Sequence, residues 1–102
     1  MVNVVSQRKF KHGPGIYIGR PGVYGNPFEI GPDGTREEVI AKYKEWMFAE
    51  IAKKEAFFDN MMFLVELAKK EDLNLICWCS PLTCHGDVIK DWIDNQLLTY
   101  ST

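Results

Sequence analysis

No apolar run in this sequence approaches the ~20 residues that a membrane-spanning helix needs, and no basic start leads into an apolar stretch of the secretory kind. A cytoplasmic protein with no membrane partner is the expectation. Cysteine is scarce and odd in number. Three residues leave at least one outside any intrachain pair, which favours reduced thiols over a disulfide scaffold. The net charge is only −2, so no global field would hold nucleic acid. Arg8, Lys9, Lys11, His12 and Arg20 do make the first part of the chain locally basic, which reads as a solvated surface or as an anion-binding edge. Internal repeats, low-complexity stretches and the glycine-rich fingerprint of dinucleotide sites are also missing.

What is present describes one globular domain. A chain of 102 residues, 46% apolar and 13% aromatic, suffices for a single modest core. The β-branched run Val2 to Ser6 predicts a strand, and Ile16 to Ile18 a second short one. Gly19, Pro21, Gly22, Gly25 and Pro27 then crowd into a stretch that also holds Arg20, Tyr24, Asn26 and Phe28. It reads as a loop of fixed shape, either a binding loop or an irregular connection. Thr35 with Glu38 three positions later is a capping box and places a helix start at Thr35. Val39, Tyr43, Trp46 and Met47, flanked by Ile40 and Ile51, form its apolar stripe. After a break at Lys53 to Glu55, a second helix runs from Ala56 to Lys70 with Phe57, Met61, Leu64, Val65 and Ala68 inward.

The densest chemistry lies between Leu73 and Trp92. A buried strand over Leu73 to Cys79 leads through a loop broken by Pro81 to a helix that starts near Cys84 to Asp87 and turns Val88, Ile89, Trp92, Ile93 and Leu97 inward. The whole order implies an α/β fold: a small single-domain sheet of about three to four strands covered by helices, with a Rossmann-like strand-loop-helix at the C-terminal end.

All three cysteines and one of the two histidines fall between Cys77 and His85. Three chemistries fit. A strand, a tight loop and a helix N-terminus present unpaired amides and a positive dipole end to an anion, and Gly86 would let a phosphate approach the backbone. Asp87 in the same turn reads either as a helix cap or as an acceptor for a ribose hydroxyl or base amine. Cys77, Cys79, Cys84 and His85 also make up a Cys₃His zinc set, although neighbouring Cys84 and His85 on one helix turn would point about 100° apart. Finally, a cysteine at a helix start beside a histidine has the makings of a nucleophile. The plain alternative is that these thiols are small buried hydrophobes, the favoured account for Cys77 in mid-strand.

The blocks GRPGVYGNPF, GTREEVIAKY and CWCSPLTCHGDVI, in that order, resemble those of a family of short proteins from bacteria and their phages, domain of unknown function four-three-two-six. The likeness runs from about Ile16 to Trp92. It implies signature positions at Gly19, Arg20, Pro21, Gly25, Asn26, Pro27 and Phe28, and again at Cys77, Cys79, Pro81, Cys84, His85, Gly86 and Asp87. Polar signature residues on two loops imply one shared pocket. In it Arg20 and Asn26 would face the helix start at His85, with Tyr24, Phe28 or Trp78 stacking on a base. The expected ligand is a phosphorylated nucleoside-like molecule bound by Arg20, Tyr24, Asn26, Phe28, Pro81, Cys84, His85, Gly86 and Asp87. Sequestration or modification of such a nucleotide would suit phage interference with a host signal. Two alternatives stand beside it. One is a zinc-stabilised protein-interaction module, and the other a nucleoside-transfer or hydrolase enzyme with Cys84, His85 and Asp87 as catalytic candidates. A homodimer that completes the pocket is a further expectation.

Overall fold

Val2–Ser6 and Leu73–Cys77, both rich in branched apolar residues, form the spine of the sheet. The computed structural model describes residues 1–8, 15–78 and 82–101, and the side chains of all of these but Tyr100 and Ser101. Strand β1 (Val2–Ser6) thus pairs in parallel with β3 (Leu73–Cys77), from Val2 opposite Leu73 to Ser6 opposite Cys77. β2 (Ile16–Tyr17) runs parallel along the other side of β3, with Ile16 opposite Leu75. Among the described residues the sheet has three strands in the order β1-β3-β2. The chain is an α/β domain, as the element order implied. β3 ends at Cys77 rather than Cys79. β2 ends at Tyr17, although the Ile18 amide still donates to Ile76 at 2.9 Å. Lys9, Lys11, His12, Cys79 and Pro81 lie outside the described residues.

Parallel strands need long crossovers, and helices α1 (Arg36–Ala52) and α2 (Ala56–Lys70) supply the one into β3. Thr35 caps α1 as the sequence implied. Its hydroxyl accepts from the Glu38 amide at 3.2 Å, and the Glu38 carboxylate accepts from the Thr35 amide at 2.9 Å. Lys54, at a φ of 53°, turns the chain between the two helices. The third helix, α3 (His85–Ser101), packs on β1 and β3.

Tyr43 and Met47 from α1, Met61, Leu64 and Val65 from α2, Leu75 from β3, and Ile89 and Ile93 from α3 are fully buried together. Trp46 sits half-buried at the edge of this core, its ring tilted against Tyr43 at 5.6 Å and edge-on to Phe57 at 5.2 Å. Trp46 is therefore a packing residue. No helix among the described residues is long and apolar enough to cross a membrane.

Candidate functional site

Because the three strands are parallel, their carboxyl ends share one edge, and β3 lies between two strands that precede it in the chain. Ligands of open parallel sheets bind outside such ends, where the strand order reverses. Here that edge holds Tyr17 at the end of β2 with Ile18 and Gly19 after it, Cys77 and Trp78 at the end of β3, and the start of α3.

Four consecutive residues build the start of α3. Cys84 occupies the N-cap position, and its sulfur accepts from the Gly86 amide at 3.3 Å, while the Asp87 carboxylate accepts from the Cys84 amide at 3.1 Å. This is the reciprocal logic of a capping box with a thiol in place of the usual hydroxyl. Gly86 lies against the sheet, where a Cβ would stand 2.8 Å from Ile18 Cδ1 and 3.0 Å from Val4 Cγ1. Its missing side chain serves the close approach of helix to sheet. His85 is buried, its Nε2 is 2.6 Å from the Ile18 carbonyl, and its ring lies T-shaped to that of Tyr43 with centres 5.0 Å apart. A carbonyl only accepts, so Nε2 carries the proton and Nδ1 keeps its lone pair. Burial pushes His85 below the ordinary imidazole range and nearby Arg20 pushes the same way. The Ile18 bond and the Asp87 charge oppose them, and the net shift is downward.

The loop after β2 is pinned from inside. Asn26 donates through Nδ2 to the Val39 carbonyl at 3.2 Å and accepts through Oδ1 from the Phe28 amide at 2.9 Å. Tyr24 is buried, its hydroxyl donating to the Asn60 carbonyl at 2.7 Å and its carbonyl accepting from Tyr43 at 2.9 Å. Burial raises the pKa of both phenols. A side chain at Gly25 would meet the Arg20 backbone at 3.1 Å, so the loop closes tightly on itself there.

Between this loop, the start of α1 and the start of α3 opens a cavity of about 290 Å³. Arg20, Asn26 and Phe28 line it on one side, and Cys77, Trp78, Cys84 and His85 on the other. The two blocks singled out in the sequence thus meet in one place. Tyr24, Gly86 and Asp87 lie outside that lining: Tyr24 is a core pillar, Gly86 a packing contact, and Asp87 a cap. Pro81 and Cys79 lie outside the described residues.

Sequence reasoning missed Tyr17, Arg36, Ile40 and Thr83, all of which line the cavity. Arg36, the first residue of α1, donates from Nη1 to the Thr83 carbonyl at 3.2 Å and so ties α1 to the approach of α3. The capping box at Thr35 located that helix start, but no local pattern marks its first residue as facing a partner 47 positions away. Trp78 is 55% exposed, and its Nε1 donates to the Tyr17 hydroxyl at 3.0 Å. The Arg8 guanidinium lies 5.9 Å from the Trp78 ring centre. Arg20 pairs with Glu29 at 3.2 Å, and both side chains are more than half exposed.

The zinc set does not assemble among the described residues, which hold no group of three or more His, Cys, Asp or Glu side chains placed for a metal. Cys77 and Cys84 stand 3.4 Å apart at their sulfurs, Nε2 of His85 is taken by the Ile18 carbonyl, and Cys79, the remaining member of the set, lies outside the described residues. The chemistry on hand is a cationic cavity with an exposed aromatic edge, a neutral buried imidazole and two neighbouring thiols.

No curated protein and no solved structure shows a significant match to the chain. The family model described as Domain of unknown function (DUF4326) matches residues 2–95, and the chain belongs to that family.

Proposed function

We propose that the cavity binds a phosphorylated nucleoside-like small molecule, which the protein sequesters or modifies. The observation that carries this reading is the charge of the lining: Arg20 and Arg36 both border the cavity, and no carboxylate does among the described residues. Guanidinium groups match phosphate oxygens in a fixed fork. The exposed Trp78, with Tyr17 and Phe28, supplies faces on which a base stacks. A volume of about 290 Å³ falls at the small end of the ~300–1,000 Å³ of typical small-molecule sites, which suits a mononucleotide better than a dinucleotide.

His85 favours a second reading in which the bound molecule also reacts. Its ring borders the cavity and is held by Nε2, leaving Nδ1 with a lone pair for proton transfer in a nucleoside-transfer or hydrolase step.

Calorimetric titration with nucleoside 5′-monophosphates and the matching nucleosides tests the binding. The expected result is affinity that requires the phosphate. It should fall about tenfold or more in Arg20→Ala or Arg36→Ala, the factor that follows from hydrogen bonds to charged groups worth ~1.5–3 kcal/mol. Equal binding of nucleoside and nucleotide, or binding of neither, would overturn the reading. Turnover abolished in His85→Gln with binding retained would support the second reading.

A further inference from the structure

The cavity wall contains two thiols in contact. Cys77 closes β3 and Cys84 caps α3. Both border the cavity, and their sulfurs are 3.4 Å apart. A disulfide needs ~2.05 Å between sulfurs, so the pair is about 1.4 Å from bonding distance. The backbones that carry the two sulfurs are fixed independently, Cys77 by its pairing opposite Ser6 and Cys84 by the Asp87 bond to its amide. Encounter of the two sulfurs is therefore built into the fold. The sulfurs also differ. Cys84 accepts from the Gly86 amide at 3.3 Å and sits at the positive end of a 17-residue helix, so negative charge on its sulfur is met by an N–H and a dipole.

We propose that Cys77 and Cys84 form a redox-active dithiol, a modification site in the cavity wall that hydroperoxides oxidise to a disulfide. Hydrogen peroxide is small enough to enter the cavity and is the co-reactant. The Cys84 thiolate attacks one peroxide oxygen, the O–O bond breaks, and hydroxide leaves and takes up the thiol proton as water. The product is a sulfenic acid on Cys84. The Cys77 sulfur then attacks that sulfur, the S–S bond forms, and the hydroxyl leaves with the Cys77 proton as a second water. The two thiols lose two electrons and the peroxide gains them. This chemistry stands apart from the identity of any ligand the cavity takes.

The test is peroxide treatment of the full chain, alkylation of the remaining thiols, and chymotryptic cleavage after Trp78 and Leu82, which puts each cysteine on its own fragment. The expected result is a fragment ending at Trp78 joined to one beginning at Thr83, two hydrogens lighter than the reduced pair, with Cys79 alkylated. Dithiothreitol should restore both thiols, and Cys79→Ser should give the same link. A bridge through Cys79, a Cys84 sulfinic acid beside an alkylated Cys77, or no oxidation at either position would overturn the proposal.

Discussion

Replacing Gly86 with alanine places a methyl group where α3 rests on the sheet, and the outcome follows from two opposed effects. Alanine is the better helix residue by about 0.8–1 kcal/mol, and less of that gain is realised in a first turn whose amides are already capped. Against it, the new Cβ would stand 2.8 Å from Ile18 Cδ1, 3.0 Å from Val4 Cγ1 and 3.2 Å from Cys84 Sγ. The first distance is shorter than carbon atoms tolerate, so a neighbour has to move. Ile18 is fully buried and has nowhere to rotate without displacing the core, whereas Val4 is half-buried and gives more easily. Overpacking of this kind costs ~1–3 kcal/mol. The net expectation for Gly86→Ala is a loss of about 1–2 kcal/mol, a melting temperature lower by roughly 5–12 °C in a domain of this size.

Urea unfolding followed by tryptophan fluorescence measures the loss as a lower midpoint at unchanged slope. Val4→Ala removes the methyl at 3.0 Å. The double variant should therefore lose less than the sum of the single losses, by at least the ~0.5 kcal/mol that marks coupled neighbours. Gly86→Ala as stable as the parent, or more so, would refute the reasoning and leave Gly86 open to a ligand role.

Two more outcomes follow from the start of α3. Asp87→Ala should cost about 0.5–2 kcal/mol in urea unfolding through loss of a cap and leave nucleotide affinity unchanged, because its carboxylate faces the Cys84 amide; a large loss of affinity would return Asp87 to the site. His85, held below its ordinary range by burial, takes a proton in the unfolded chain before it does in the fold. Its contribution to stability is whole above ~6.5, the unfolded imidazole value, and is lost as pH falls from there toward the folded value. The urea midpoint should drop between pH 7 and 5, and His85→Gln should flatten that slope.

Local patterns in the sequence carried the helices well. The bounds of α2 match the run expected from its 3.6-residue stripe, and the Thr35–Glu38 box set the start of α1 because both partners lie within one turn. The meeting of the loop after β2 with the start of α3 was implied by the family resemblance, through the polar signature residues of both blocks. Its details were not. In a loop shaped by glycine and proline there is no periodicity to say which way a side chain points, so Tyr24 and Phe28 read alike. Tyr24 is buried and bonded to the Asn60 carbonyl, whereas Phe28 borders the cavity. Cys84 and His85, read as loop residues entering a helix, are both buried, because Gly86 lets that turn sink onto Ile18 and Val4. Arg36 was invisible for another reason. An arginine in a first helical turn is ordinary, and only the tertiary approach of Thr83 gives it a place in the site.

The stretch richest in chemical side chains is thus largely engaged in construction. Cys84 and Asp87 cap the helix, Gly86 seats it on the sheet, and one nitrogen of His85 meets the loop carbonyl of Ile18. These contacts fix the inner wall of the cavity but leave little freedom to select a ligand. Selection falls to the rim, whose groups have partners that a ligand can replace. The Arg20–Glu29 pair has side chains 54% and 61% exposed, and an exposed pair of this sort contributes little. An anion in the cavity can therefore draw Arg20 inward at small cost. Arg36 donates to a neutral carbonyl, that of Thr83, and no carboxylate borders the cavity beside it among the described residues. For the nucleotide ligand proposed above, a rigid inner wall with two redirectable guanidinium groups and an exposed indole is suited to hold a phosphate tightly and to accommodate more than one base. Specificity in this chain should accordingly lie more in the phosphate than in the nucleobase.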